Sequence, residues 1–474
     1  MLKKLLCLLL AGLMLMSTVA CGEPEPEVNE DGTQTAAVTQ GEGAEELKPD
    51  LPEMNYKGEE FRILTSRDLY SQLVATTTSG EVLNDAILDA SISVSQQFNI
   101  KFACVEGDGA TIETFVMAGD DEYDVAFIHD CTTASLSLNG WFYDINGLPY
   151  VDTSAPWWPQ FIVDSLTLNG KLYYYSNHAS YQAMAQTRAC FFNAQILRDY
   201  NTELPYDMVC DGTWTLDQLM KMSTAIYSDV NGDGQQDTGD LHGFASSHYP
   251  YAWLECFGIE LYHKESPDSA ELTLLNDERC YTLIEKLHTW FYSGTDGIWA
   301  PMNDGGEVSE AMFAEDRVAF TFACIGDQAP KAIDGNVDYG VVPFPKLDGY
   351  QNQYYGGCTS SLFSVPVTLQ DTERVGIILE AMAYAGYKHI LPAYCEKTLK
   401  TRYATDPDCS EMLNLIFDNQ VISFAYLFAN AVPQGMQFRF IADTVERNKV
   451  ASFFKSKQRK EQKMLDTIME FYDK

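Results

Sequence analysis

The chain has 474 residues, with 68 acidic side chains against 31 basic ones and a net charge of −37 at pH 7. Such an excess repels phosphate backbones and anionic headgroups, so nucleic acid is excluded as a partner and a solvated acidic surface is expected. The twelve cysteines contain no C-x-x-C, which argues against zinc ribbons and thioredoxin-type dithiols and leaves their redox state open.

The first 21 residues set the expected location. Lys3 and Lys4 precede an apolar run from Leu5 to Met16, and Ser17-Thr18-Val19-Ala20 leads to Cys21. This is the pattern of a secretory leader. The run is shorter than the about 20 residues that a permanent spanning helix needs. Cys21 behind small residues resembles a bacterial lipobox, although Thr18 stands where that pattern prefers Leu. The resemblance implies lipidation of Cys21 and anchoring at the outer face of the cell membrane. Residues 22–54 are rich in Glu, Pro, Gly, Thr and Gln. They lack the apolar clusters that offset the entropy of ordering, so a disordered tether with a reach of roughly 30 Å is expected.

Residues 55–474 are too many for one simple core and fit two lobes. Phe61–Thr65 reads as a strand, Asn84–Gln97 as a helix, Ile100–Val105 as a strand, Thr111–Met117 as a helix and Tyr123–Ile128 as a strand. This β-α-β-α-β order predicts a parallel sheet whose ligand-bearing edge lies at the carboxyl ends of the strands. A second α/β pattern follows. It has strands at Leu172–Tyr175, Arg188–Asn193 and Asp338–Pro343, and helices at Gln195–Asn201, after Thr215 and at Asn276–Phe291. Phe313–Cys324 reads as a helix end feeding a strand. Thr215 with Gln218 three residues on forms a capping-box pattern. The last third reads as helical, at Thr372–Gly386, Leu391–Tyr403, Ser410–Asp418 and in one long helix from Asp443 to Asp473. That helix carries basic residues, among them Lys455, Arg459, Lys460 and Lys463, which are expected to lie against acidic surface.

Asp229-x-Asn231-x-Asp233-Gly234-Gln235-x-Asp237-x-x-Asp240 matches a calcium loop. Oxygen ligands fall at positions one, three, five, nine and twelve, Gly stands at six, and the Gln235 carbonyl serves position seven. Asp240 replaces the usual Glu at twelve, and no second helix follows. A structural calcium ion is expected, with a bare acidic turn as the alternative.

Three pieces now fall in one order. Asn169-Gly170-Lys171-Leu172-Tyr173 is followed by Phe192-Asn193, and then by Gly212-Thr213-Trp214-Thr215-Leu216-Asp217-Gln218-Leu219. With Tyr123-Asp124-Val125 before His129-Asp130, and Tyr339-Gly340-Val341-Val342-Pro343 before Gly356-Gly357, the set resembles the extracellular solute-binding proteins of family 1, the sugar receptors of ABC importers. The resemblance implies an α/β type II periplasmic-binding fold, with two α/β lobes joined by a hinge. Lobe one is expected at 55–155 plus 355–405, and lobe two at 156–350 plus 406–474. The implied activity is capture of a carbohydrate, an oligosaccharide for preference, by hinge closure and delivery to the permease subunits of the membrane. The chain is expected to be a monomer. The alternative is a surface carbohydrate-binding adhesin or a binder of another small solute.

A sugar site needs aromatic platforms and planar polar groups. By resemblance Asp130 bonds sugar hydroxyls, with His129 beside it, Arg67 and Asp68 follow a strand that contacts ligand, and Phe192 lies near the cleft. The further candidates are Trp157, Trp158, Tyr249, Tyr251, Trp253, Tyr354 and Tyr355. Of the Pro-flanked pair Trp157-Trp158, one is expected against ligand unless both pack under the hinge. Trp214 and Trp290 are expected in the core. No G-x-S-x-G, H-E-x-x-H, Walker loop or G-x-G-x-x-G is present, so no enzyme is expected.

Overall fold

Alternating apolar residues build the first sheet. The computed structural model describes residues 47–246, 250–292, 294, 296–300, 307–396 and 407–474. Strand β1 (Glu59–Thr65) buries Phe61, Ile63 and Leu64, and runs parallel to both β2 (Ile100–Glu106) and β3 (Val125–Ile128). Helices Val82–Phe98 and Gly109–Ala118 form the two crossovers, in agreement with the alternation in the sequence. Leu83, Ile87, Ala90, Val94 and Phe98 recur at helical spacing and make the buried face of the first crossover. Asn99, at φ 50°, ends it in the left-handed conformation. Asp108 starts the second helix: its carboxylate accepts the Thr111 N–H, and the Thr111 hydroxyl accepts the Asp108 N–H.

Eight strands follow in chain order: β4 (Arg188–Asn193), β5 (Tyr227–Ser228), β6 (Leu241–Ala245), β7 (Tyr262–Ser266), β8 (Ser269–Leu272), β9 (Ile298–Trp299), β10 (Val318–Cys324) and β11 (Tyr339–Val342). The second sheet has the order β11-β4-β10-β6-β5, with β9 beside β6, while β7 and β8 pair only with each other. Strands β4, β10 and β11 are buried over their full lengths, which explains their unbroken apolar character. The Thr215 hydroxyl accepts the Gln218 N–H and caps helix Leu216–Ser223. Trp214 and Trp290 lie in the core, as expected.

The chain returns from the second sheet through β12 (Gly356–Gly357) into β13 (Leu362–Ser364), which joins the first sheet antiparallel to β3. Strand β12 pairs with β14 (Gln420–Val421). The outward passage runs over residues 176–187, from Tyr175, bridged to Phe363, into β4. Ser176 Oγ and Ser360 Oγ approach to 3.1 Å, so the two passages are bonded to each other. Helix Thr372–Ala385 packs on Val82–Phe98, and helix Pro407–Asp418 packs on β11. Residues 397–406, between them, lie outside the described residues together with most of the helix expected at Leu391–Tyr403.

Three expectations change. Leu172–Tyr175 forms no strand, because Asn169 and Gly170 take φ of 50° and 70° and turn the chain so that only single bridges form at Lys171 and Tyr175. The long terminal helix is two helices, Met436–Thr444 and Val450–Tyr472, broken where Asn448 adopts φ 47°. Its basic side does not lie against acidic surface: Lys455, Arg459, Lys460 and Lys463 face solvent, opposite Val450, Phe454, Leu465 and Ile468.

The last turn is tied to the passage region. Lys171 Nζ donates to the Tyr472 carbonyl at 3.0 Å, Asn169 Nδ2 to Asp473 at 2.6 Å, and the Tyr472 and Tyr174 hydroxyls meet at 3.2 Å. No disulfide forms among the described cysteines, and most of them are buried. No described helix is long and apolar enough to cross a membrane.

Candidate functional site

The carboxyl ends of β1 and β3 carry the first group of expected residues. Arg67 and Asp68 are exposed, and Arg67 Nε pairs with Glu106 at 3.0 Å. His129 is exposed as well, with Nδ1 3.1 Å from Asp130 Oδ1. Asp130 itself is buried. Its Oδ1 accepts the Cys131 N–H at 2.8 Å, and its Oδ2 accepts the Ser360 N–H of the return passage at 3.3 Å. Burial raises this carboxyl above its ordinary range, and His129 and the two N–H donors offset part of that. Asp130 therefore joins the first sheet to the passage between the sheets.

The opposing wall comes from the second sheet and the C-terminal helices. Tyr251 stacks on Tyr426 with centroids 5.6 Å apart, and Phe438 stands edge-on to Tyr251 at 5.1 Å. The Cys131 thiol donates to the Tyr426 carbonyl at 2.9 Å, which brings these rings against the end of β3. Gln437 Nε2 donates to the Tyr251 carbonyl at 2.9 Å and to Glu255 Oε1 at 2.8 Å. Burial raises the Glu255 carboxyl, opposed by Ser423, Gln437 and Arg188. Arg188 opens β4 directly after the outward passage and is 3% exposed. Its Nη1 donates to the Gly357 carbonyl at 3.2 Å, across to the return passage. The junction thus combines aromatic faces, two buried carboxyls and one buried guanidinium, a mixture suited to a ring with apolar faces and a hydroxyl rim.

Several expected residues lie elsewhere. Trp157 and Trp158 are both buried, and their indole N–H groups donate to the two oxygens of Glu380 at 2.6 and 2.9 Å. Neither ring is open to ligand, because a shared acceptor on helix Thr372–Ala385 pulls both inward. Phe192 is fully buried against Tyr206 within the second sheet. Trp253 is fully buried, edge-on to Phe322. Tyr354 is buried, with its hydroxyl on the Val209 carbonyl at 3.3 Å. Tyr249 and Cys21 lie outside the described residues.

Tyr355 is half-buried and lines a larger cavity of about 990 Å³ with Glu255, Glu260, His263, Arg279 and Phe424. Gly258, at φ +64°, makes room for it: a Cβ there would stand 2.9 Å from the Tyr355 ring. Glu255 also borders a pocket of about 10 Å³ that Arg188 and Tyr426 line.

The Asp229–Asp240 loop is closed by its own side chains. Asp229 accepts the N–H groups of Gly232 and Gly234 at 2.7 and 3.0 Å, Asn231 accepts that of Asp233 at 2.9 Å, and Asp233 accepts that of Gln235 at 2.8 Å. Asp237 accepts the Gly239 N–H at 2.7 Å, and Asp240 accepts the Tyr227 hydroxyl at 3.0 Å. Among the described residues the one grouping of three His, Cys, Asp or Glu ligand atoms within 4.8 Å of one another is His129-Asp130-Cys131, not this loop. That triplet fits a cation poorly, since both Asp130 oxygens accept N–H groups and burial holds the Cys131 thiol protonated.

No protein-family model and no curated protein matches this chain. Solved structures do. The GacH receptor of Streptomyces glaucescens, determined unliganded and with acarbose, matches over 88% of this chain and 99% of its own at 13% identity, with a TM-score of 0.55. The fold is that of the periplasmic-binding proteins. An ABC substrate-binding protein from Listeria monocytogenes in complex with cycloalternan covers 87% and 99% at 14% identity, with a TM-score of 0.54. The maltose/maltodextrin-binding domain of Bdellovibrio bacteriovorus MalE, bound to maltotriose, covers 87% and 98% at 11% identity, with a TM-score of 0.52. Asp130, Arg188, Tyr251, Glu255 and Tyr426 gather where the two sheets are bridged through the return passage, by the Ser360 N–H on Asp130 and by Arg188 Nη1 on the Gly357 carbonyl.

Arg188, Glu255, Tyr426 and Gln437 were not among the residues singled out from the sequence. Arg188 left one signal, as a charged residue at the head of an otherwise apolar strand. Glu255 and Tyr426 sit in single helical turns buried on every side, and Gln437 in a longer helix of mixed burial, and none of the three left a signal.

Proposed function

We propose that this chain is the substrate-binding component of an ABC importer and captures a neutral oligosaccharide at the lobe junction. The observation that carries the reading is the Tyr251–Tyr426 stack beside buried Asp130, Arg188 and Glu255, at the meeting point of two α/β sheets. Stacked rings cover the apolar faces of a sugar, and the charged groups bond its hydroxyls. The fold neighbours whose names mention acarbose, maltotriose and cycloalternan support a carbohydrate over other solutes.

In this reading ligand favours the closed arrangement because it touches both lobes, 55–155 plus 355–405 and 156–350 plus 406–474. The leader delivers the chain across the membrane, Cys21 carries the lipid, and permease subunits receive the sugar from a monomer. The Asp229–Asp240 loop holds a calcium ion that neutralises clustered carboxylates. The protein binds its sugar and leaves it unchanged.

The test is a thermal-shift screen of the full chain against neutral malto-, cello- and galacto-oligosaccharides. A ligand-dependent rise in Tm is expected, since a ligand of the native state stabilises it by mass action. A flat response across the panel from folded protein overturns the carbohydrate reading.

A further inference from the structure

The guanidinium of Arg188 is 3% exposed, and a guanidinium cannot shed its charge by losing a proton. Its hydrogen bonds leave from Nη1, to the carbonyls of Gly357 and Gln186 at 3.2 and 3.5 Å. Nε is buried with no acceptor. A buried N–H without a partner costs enough that native structures rarely keep one. Among the described residues no carboxylate pairs with Arg188. Glu255 acts on it only at electrostatic range.

Both residues line one small pocket, with Thr359, Ser423 and Tyr426. Its volume of about 10 Å³ is the space of a single water-sized group. One wall is Arg188, whose buried Nε still lacks an acceptor, and another is Glu255, which offers a carboxyl oxygen. A hydroxyl satisfies both at once, because it accepts through oxygen and donates through hydrogen. A carboxylate does not fit the volume and meets repulsion from Glu255 and Asp130. An N-acetyl group is too large. An ammonium faces Arg188.

We propose that Arg188 and Glu255 form a hydroxyl-reading subsite at the hinge, specific for one hydroxyl of a neutral sugar. The proposal rests on the carbohydrate reading of the same junction. It also gives ligand a direct hold on the hinge. Arg188 follows the outward passage, and its Nη1 bonds the Gly357 carbonyl on the return passage. A hydroxyl on Nε therefore fixes the side chain that spans the two connections.

The experiment is calorimetry on the full chain with the best neutral oligosaccharide of the screen, its uronate counterpart and its monodeoxy analogues. Wild type is expected to prefer the neutral sugar, and one deoxy analogue is expected to bind about 100-fold more weakly, since a site built to bond a hydroxyl is left unpaired without it. Arg188→Lys and Glu255→Gln are expected to lose about 10- to 100-fold for the parent sugar and to bind that same deoxy analogue no more weakly than wild type does. This selective loss is one that a purely structural role does not produce. Arg188→Met serves as a second variant if Arg188→Lys fails to fold. Wild-type affinity and deoxy selectivity in a folded Arg188 variant overturn the subsite and leave the carbohydrate reading intact, as does a preference for the uronate. Failure of wild type to bind any sugar of the panel overturns the carbohydrate reading itself.

Discussion

The ring of Tyr251 lies parallel to the ring of Tyr426, with 6° between their planes and 5.6 Å between their centroids. Tyr426 is held from the other side by Cys131, whose thiol donates to its carbonyl. The stack therefore belongs to both walls of the junction. Tyr251→Ala is expected to weaken oligosaccharide binding at least 10-fold with a small change in Tm, because a sugar face loses its platform while Tyr251 is only half-buried. Tyr426 is buried, so Tyr426→Leu is the milder probe there. Unchanged affinity in both variants by calorimetry removes the stack from the site.

Glu380 is the acceptor for three donors: the indoles of Trp157 and Trp158 and the Asp152 N–H at 3.3 Å. Glu380→Gln puts an amide NH₂ against an indole N–H and strands one buried donor. A loss of about 2–3 kcal/mol in denaturant unfolding is expected. Trp fluorescence reports it directly, as a shifted emission maximum in the folded variant. A variant as stable as wild type with an unshifted spectrum overturns the assignment.

Burial raises the carboxyls of Asp130, Glu255 and Glu380 above the ordinary carboxyl range. Such a group binds its proton more tightly in the folded state. Its contribution to stability is whole below the unfolded value and is lost as pH climbs through the raised one. These carboxyls and the weaker self-repulsion in a chain of charge −37 push Tm upward on acidification, whereas burial lowers the imidazoles of His178, His242 and His389, whose contribution is lost as pH falls through the ordinary His range. Asp108 acts in the opposite sense: the Thr111 N–H and hydroxyl hold it below its ordinary value, so its contribution is lost in stronger acid. Glu380→Gln is expected to show a smaller upward push on Tm with acidification than wild type, and parallel pH profiles of the two in scanning calorimetry contradict the argument.

Millimolar calcium is expected to raise Tm by several degrees over chelator, and Asp229→Asn or Asp233→Asn to abolish the difference. The same Tm with calcium and with chelator leaves the loop as the self-bonded turn described above.

The first sheet was legible because β1, β2 and β3 alternate with two amphipathic helices, and both periods are written in the apolar residues. The second sheet was legible where strands are wholly buried, as in β4 and β10. The break at Asn448 was not, because apolar spacing runs on through it and one left-handed residue suffices to end a helix. Of the candidate site, the sequence pointed to Asp130, just past the end of β3, and to Tyr251, in an aromatic-rich stretch. Tyr426 left no signal and Arg188 only its charge at the head of β4, because the surroundings of both depend on what meets them from far along the chain. Trp157 and Trp158 misled for the same reason: composition marked them as sugar platforms, and only Glu380 shows why both turn inward.

The bonds from Asn169, Lys171 and Tyr174 to the final turn have a kinetic meaning. Tyr472 lies 298 residues beyond Tyr174. While the ribosome is still making the chain, Tyr175 already has Trp158 to pack on, but Tyr173 and Tyr174 lack Phe471 and Tyr472. This stretch stays unfinished until Phe471 and Tyr472 emerge. Contacts of such separation form late and slow the search for the native state. In the export reading proposed above, late contacts of this kind keep the stretch open until Phe471 and Tyr472 have followed it across the membrane.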